Sequence, residues 1–220
     1  MSPAVSFVVP AKDEAATLPR TLDSIAAQET TRETEVVVAD GDSDDATPEI
    51  ARDHGARVVH QRRGGIGRGR HLGAEAAEGD WLVFVDADTA LRPWHLDTML
   101  AYVESEGLTA ASSRCRIDGP RRAKVMEAVI NHVFPRFDRP ILPGFNFVVD
   151  RETYFAAGGF PDVPNEDTAF SRRLARTEPT GYCPAVLADT SGRRIARTGL
   201  TGTLAHYLRL DAGRLWATKR

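Results

Sequence analysis

The sequence predicts an α/β domain on a mainly parallel central sheet, and three observations carry that expectation. Short apolar runs alternate with longer amphipathic stretches along the chain. One run, Trp81-Leu82-Val83-Phe84-Val85, is apolar at every position, as in a strand covered on both faces. The acidic triplet Asp86-Ala87-Asp88 follows it directly, at the carboxyl end where open α/β sheets hold their ligands.

Taken in order, a first strand is expected over Val5-Ser6-Phe7-Val8-Val9, stopped by Pro10. A helix follows over residues 15–28, with Leu18, Leu22, Ile25 and Ala26 on one face. Val36-Val37-Val38-Ala39 gives the second strand and runs into the acidic loop Asp40-Gly41-Asp42-Ser43-Asp44-Asp45. Thr47-Pro48-Glu49 reads as a helix start, with Thr as the cap and Pro in the first turn. Arg57-Val58-Val59-His60 is a third strand, ahead of a Gly- and Arg-rich segment over 62–69 and a helix to about Glu78. Beyond the buried strand, residues 93–104 read as helical, 110–117 as extended and 121–133 as helical. Residues 145–149 then suit a strand, 166–176 a helix and 200–215 a terminal helix. No repeat, low-complexity tract or long linker divides the 220 residues, so a single unit is expected.

Composition narrows the function classes. The hydrophobic share of 42% and charged share of 27% are those of an ordinary soluble domain. A formal net charge of −3 carries no footprint of a nucleic-acid binder. The opening apolar run lacks a basic leader and is too short for a signal peptide, and no later run spans a membrane without a charge. Cys115 and Cys183 lie far apart without metal-type spacing, so reduced thiols in a cytoplasmic protein are expected.

The chemistry concentrates in the acids. Two carboxylates one residue apart at a strand end can share a hard cation, Mg²⁺ or Mn²⁺, that keeps positions open for phosphate oxygens. Such an ion neutralises the charge that grows on a departing pyrophosphate. A short Asp-x-Asp also arises by chance or as a turn cap; its place after a doubly buried strand favours function. The loop from Asp40 to Asp45 is either a solvated helix cap or a ligand loop. It is no EF-hand, since the sixth position holds no Gly and the Glu-ended loop is missing. Asp40 differs from its neighbours in ending the second strand, which suits a carboxylate reading a base or ribose. The segment Gly64-Gly65-Ile66-Gly67-Arg68-Gly69-Arg70-His71 lacks a P-loop ending, yet its glycines with Arg68 and Arg70 at a helix start suit a pyrophosphate contact.

Four segments together resemble glycosyltransferase family 2, inverting enzymes of the GT-A fold. Phe7-Val8-Val9-Pro10-Ala11-Lys12-Asp13-Glu14 is similar to the family's opening strand and nucleotide loop, and Val37-Val38-Ala39-Asp40-Gly41-Asp42 to its second motif. Arg70-His71-Leu72-Gly73 leading to Asp86-Ala87-Asp88 resembles the third, with His71 where the family usually has Asn. Gly158-Gly159-Phe160 with Asn165-Glu166-Asp167 looks like the acceptor-side motif. The layout, including Thr190-Ser191-Gly192-Arg193-Arg194, most resembles compact members without transmembrane helices.

The resemblance implies a metal-dependent, inverting transfer from a UDP- or GDP-sugar to an acceptor hydroxyl or phosphate. It assigns donor binding to Pro10, Ala11, Glu14, Asp40, Arg70, Asp86 and Arg194, the metal to Asp88 with Asp86, and the catalytic base to Asp167. Residues up to about 110 would bind the nucleotide sugar, and the rest would face the acceptor. A helix start is the plain alternative for Glu166 and Asp167, and a solvated basic turn for Arg193 and Arg194. A nucleotidyltransferase and a non-catalytic nucleotide-sugar binding module are the competing classes. The stretch 121–137, with Val125, Met126, Val129, Ile130 and Val133 at helical spacing, is either core or an acceptor-facing flap. The basic, apolar end of the chain would suit a lipid-linked acceptor at the inner face of a membrane, or packing on the domain.

Overall fold

The computed structural model describes residues 3–137, 139–193 and 196. The first half builds β1 (Val5–Ala11), α1 (Leu18–Ala26), β2 (Thr34–Asp40), α2 (Thr47–Asp53), β3 (Arg57–His60) and α3 (Ile66–Ala76). These are followed by β4 (Trp81–Val85), β5 (Thr89–Leu91) and α4 (His95–Ser105). The second half adds β6 (Ala110–Asp118), α5 (Ala123–Ala128), β7 (Asn146–Asp150), α6 (Arg151–Ala156), α7 (Glu166–Leu174) and β8 (Thr180–Ser191). The helix expected over 200–215 lies outside the described residues.

The described strands form one eight-stranded sheet in the order β3-β2-β1-β4-β7-β6-β8-β5. β3, β2, β1 and β4 run parallel, so the carboxyl ends of β1, β2 and β4 share one edge. β7 runs antiparallel between β4 and β6, β8 lies parallel to β6, and β5 pairs antiparallel with β8. The α/β architecture with a largely parallel half matches the sequence-based expectation. β4 is the doubly covered strand foreseen: Leu82, Val83, Phe84 and Val85 are all buried. Phe84 stands in an aromatic cluster with Phe147, Tyr154 and Phe160, its ring 4.8 Å from Phe160 and edge-on to it. Phe170 of α7 closes the cluster against Phe160, also at 4.8 Å. Each such ring contributes about 1.5–3 kcal/mol by leaving water, and together they lock α7 to the central strand.

Several elements differ from expectation for identifiable reasons. Pro10 does not end β1 but pairs with Ala39 inside it. The Ala11 carbonyl accepts from Gly41 on the β2 side, so by alternation the N–H that Pro10 lacks would face β4, whose pairing ends at Val8. Thr47 is the first residue of α2 rather than its cap; Ala46 holds that place and makes no side-chain cap bond. The stretch 121–133 is α-helical only to Ala128 and then widens into a π turn, Val129–Val133, and a 3₁₀ turn, Phe134–Arg136. That change of pitch breaks the apolar face: Ile130 is buried while Val125 and Val133 are exposed.

Candidate functional site

The parallel half of the sheet gathers the expected donor-side residues. Pro10 and Ala11 end β1, Asp40 ends β2, and Asp86 follows β4, all on the shared edge. Asp40 is 3% exposed; its Oδ2 lies 3.3 Å from His60 Nδ1, while Oδ1 is buried without a hydrogen-bond partner among the described residues. An unfilled, buried carboxylate oxygen is costly, and at this edge it is an open acceptor for a ligand's N–H or O–H.

The loops after β1 and β2 are stitched together. Lys12 Nζ donates to the carbonyls of Gly41 and Asp42 at 3.0 and 2.9 Å. The amides of Asp13 and Glu14 donate to Ser43 Oγ and Thr47 Oγ1 at 3.0 and 2.8 Å. The Asp44 amide donates back to Asp13 Oδ1 at 2.9 Å, and the Ala15 amide to Asp45 Oδ2 at 3.1 Å. A short hydrogen bond from the Thr47 hydroxyl, with backbone N–H donors behind it, holds the Asp45 carboxyl below its ordinary range. The acidic loop is therefore a brace that fixes the backbone around Glu14, which is why Thr47 is recruited away from capping.

Asp86 and Asp88 meet different cations. Asp86 Oδ1 accepts from Arg70 Nη2 at 2.6 Å. Asp88 Oδ2 lies 3.2 Å from Arg193 Nε, and a second nitrogen of the same guanidinium donates to Glu14 Oε1. Burial pushes the Asp88 carboxyl up to about 6, with Asp86 and Glu14 adding repulsion and Arg193 relieving part of it.

Arg70 sits deeper. Its guanidinium is ion-paired to Asp86 and to Glu166, its side chain is 3% exposed, and it lies 5.4 Å above the Phe160 ring. Burial alone would lower its proton affinity, but Asp86, Glu166 and Asp167 outweigh that and hold the charge in place. Gly144 lies so close that a Cβ there would be 2.6 Å from Arg70 Cζ. The Gly144 amide donates to Asp167 Oδ2 at 3.3 Å, and the Thr168 amide to Asp167 Oδ1 at 2.6 Å. Asn165, in the left-handed region at φ 52°, turns the chain into α7 so that Glu166 points inward and Asp167 stays partly exposed.

The structure thus brings Pro10, Ala11, Glu14, Asp40, Asp86 and Asp88 to one edge and links Asp167 to it through Arg70 and Gly144. Arg70 faces carboxylates here, a set of partners that its expected contact with pyrophosphate did not foresee. Arg194 lies outside the described residues. The glycines before Arg70 serve packing: a Cβ at Gly67 would meet the Pro161 carbonyl at 2.2 Å, and one at Gly69 would meet Gln61 Oε1 at 2.6 Å. His71 turns away from the acids, with Nδ1 3.1 Å from the Tyr154 hydroxyl. Motif reading gave no site role to Gly144, took Thr47 only as a helix cap, and quoted Glu166 in the acceptor-side motif without its pairing to Arg70. Only the Pro143-Gly144 pair carried a turn signal.

The donor set suits a hard divalent cation. Asp88 and Asp86 offer oxygen alone, and Asp88 is a half-buried carboxylate whose charge is only partly compensated. Among the described residues no three His, Cys, Asp or Glu side chains converge on a closed cage. A cation held here would therefore keep coordination positions for oxygens of a bound substrate.

A sequence profile described as glycosyl transferase family 2 matches residues 6–160, more than half of the chain. The chain belongs to glycosyl transferase family 2. The family's match covers the strand-end acids and stops at Phe160, short of Asp167. The succinoglycan biosynthesis protein ExoO of Rhizobium meliloti is 37% identical over 113 residues, 50% of this chain and 32% of its own length. A 4,4'-diaponeurosporenoate glycosyltransferase of Staphylococcus haemolyticus is 37% identical over 98 residues, 41% of this chain and 26% of its own. The chain thus spans about a third or less of these relatives.

Among solved structures, S. aureus TarS 1–349 in complex with UDP superposes with a TM-score of 0.70 at 20% identity, covering 87% of this chain and 60% of that one. The mannosyltransferase PcManGT from Pyrobaculum calidifontis, in complex with GDP-Man and Mn²⁺, gives 0.71 at 24% identity, covering 95% and 65%. These likenesses establish the GT-A fold that the motifs implied. No helix among the described residues is long and apolar enough to cross a membrane.

Proposed function

We propose that this chain transfers a sugar from a nucleotide-sugar donor to an acceptor with inversion at the anomeric carbon, assisted by Mg²⁺ or Mn²⁺. The observation that carries the reading is the Arg70 bridge. One buried guanidinium binds Asp86 on the donor edge and Glu166 beside Asp167, so the acids of both half-sites are held around a single rigid point.

In this reading the open oxygen of Asp40 accepts from the base or ribose, and the braced backbone over Pro10, Ala11 and Glu14 walls the nucleoside. Asp88, with Asp86, holds the divalent cation, which when bound neutralises charge on the departing nucleoside diphosphate. Arg70 orients Asp86 from behind. Arg193 leaves Asp88 and Glu14 for the pyrophosphate, and Arg194 adjoins it in sequence. Asp167 takes the proton of the acceptor hydroxyl as its oxygen bonds to the anomeric carbon and the bond to pyrophosphate breaks. The amides of Gly144 and Thr168 fix the orientation of the Asp167 carboxylate. UDP- and GDP-sugars are the donor classes proposed, in line with the ligands of TarS and PcManGT. A nucleotidyltransferase would need free basic groups after the first strand, whereas Lys12 is committed to two loop carbonyls.

The test is Asp167→Asn. Transfer should fall at least ~100-fold, the lower range for a lost general base, while calorimetric binding of the nucleoside diphosphate with Mn²⁺ stays within about twofold. Full transfer by this variant would remove the assignment of the base.

A further inference from the structure

A cavity of about 470 Å³ lies apart from the donor edge, lined by Phe137, Arg139, Ile141, Arg172 and Arg176. Three of its five residues are guanidiniums. None of the three has an ion-pair or hydrogen-bond partner among the described residues, unlike Arg70, Arg92 and Arg193, which are all paired with carboxylates. Three like charges around one hollow repel each other, and an anion between them reverses the sign of that interaction. Guanidiniums also match the oxygen geometry of phosphate, which they bind in a forked fashion. The other two residues supply an apolar wall: Ile141 is buried at its base, and Phe137 is 48% exposed at its rim. Against ~30 Å³ for a water molecule in the liquid, the volume holds a phosphate and part of whatever is esterified to it.

The cavity is tied to the proposed reaction centre by both of its walls. Arg172 lies on α7 five residues after Asp167, about 8 Å along the axis at ~1.5 Å per residue. From the lining residue Ile141 the chain continues through Leu142, whose amide and carbonyl bond to Ser171 Oγ at 3.1 Å each, to Gly144, which donates to Asp167. We propose that this cavity is an acceptor subsite for a phosphate ester with an apolar arm: the arginines hold the phosphate as a handle, and Phe137 and Ile141 hold the first part of the chain. The inference rests on the glycosyl-transfer reading for the word acceptor, but the binding it predicts is independent of turnover.

Dodecyl phosphate, kept below its micellar concentration, is the probe, with inorganic phosphate and glucose 1-phosphate as polar controls. Calorimetry on the full chain should show dodecyl phosphate binding at least tenfold more tightly than either control. The double variant Arg172→Glu, Arg176→Glu should lose at least tenfold of that affinity, and Phe137→Ser should lose the advantage over inorganic phosphate. Nucleoside diphosphate with Mn²⁺ should bind both variants as it binds the parent chain, which certifies their fold. Arg139→Gln, a milder surface change, should give a smaller loss in the same direction. Equal binding of the three phosphates, or undiminished dodecyl phosphate binding by the double variant, overturns the subsite. Turnover without alkyl phosphate binding does so too and leaves the transfer reading standing, whereas alkyl phosphate binding without turnover on any donor supports the subsite and removes that reading.

Discussion

Arg70 and His95 are both fully enclosed, one charged and one neutral, and the difference follows from what surrounds them. Arg70 has Asp86 at 2.6 Å and Glu166 on its other side, so its charge is compensated. Removing it strands two partly desolvated carboxylates, so Arg70→Ala should cost about 3–5 kcal/mol of stability, read as a shift in urea midpoint. Arg70→Lys keeps the charge but not the fork, so it should recover part of that stability. His95 has no such company: Nε2–H donates to Asn146 Oδ1 at 2.7 Å, Nδ1 has no partner among the described residues, and burial pushes its proton affinity down to about 4. The unfolded chain, with His near its ordinary 6.5, then binds more protons between pH 6.5 and 4. Stability is therefore complete above pH 6.5 and declines as pH falls through that window, by on the order of 3 kcal/mol at 1.36 kcal/mol per pH unit. His95→Gln keeps a donor to Asn146 but cannot titrate, so the pH 4–6.5 slope of its unfolding free energy should be shallower by that amount. The residues that sequence reading proposed for the site, such as Asp40, Asp86 and Asp88, end or closely follow strands whose apolar runs are self-evident. The roles of Gly144 and Glu166 escaped it because they exist only through Arg70, 74 and 96 positions away in the chain.

Elements were legible where local chemistry and tertiary context agreed. β4 and β3 were located to the residue, because unbroken apolarity and β-branched pairs leave few alternatives. β8 was not foreseen: its sequence carries Pro184, and its register against β6 jumps from Ser113↔Cys183 to Arg114↔Val186, so Pro184 sits in a bulge. α6 is a six-residue helix, and only the bond from the Thr153 amide to its cap Asp150 at 2.7 Å marks its start. α3 adds a packing constraint, since Gly73 lets the helix approach the sheet. A Cβ at Gly73 would sit 2.4 Å from Val8 Cγ1 on β1. Gly73→Ala gains helix propensity on a two-sided scale of about 1 kcal/mol, yet must push α3 off β1 at about 1–3 kcal/mol. Overpacking wins at the upper end of that range, and a displaced α3 carries Arg70 with it. The variant should lose a net ~1–2 kcal/mol in a denaturant melt, and its donor affinity should fall with it. A gain in stability would show that the helix–sheet gap is looser than the contact implies.

At the scale of the molecule, the site is closed by a residue from the far end of the described chain. Arg193, just past β8, reaches across 179 positions to Glu14 while its Nε lies 3.2 Å from Asp88. β8 is brought there by pairing with β6 along its length and with β5, which leaves Asp88 directly by the turn from Asp86 to Thr89. In the proposed reading, in which Asp88 ligates the divalent cation, the guanidinium would compete with that cation for the carboxylate. Arg193 raises the cost of bringing a cation in, but its side chain is 45% exposed, so the pair is worth about 0.2–1 kcal/mol after solvent screening. Removing the competitor should therefore tighten Mn²⁺ binding by no more than about fivefold. Arg193→Ala, measured by the loss of free Mn²⁺ signal in electron paramagnetic resonance without nucleotide, should show a two- to fivefold lower Kd, roughly the range set by that screened pair. Asp88→Ala should abolish the same binding, and the double variant should match Asp88→Ala alone, since the guanidinium acts only through that carboxylate and Glu14. Weaker Mn²⁺ binding by Arg193→Ala would mean that the arginine organises the acids rather than competing for them. Its proposed move to the pyrophosphate would then lose its motive.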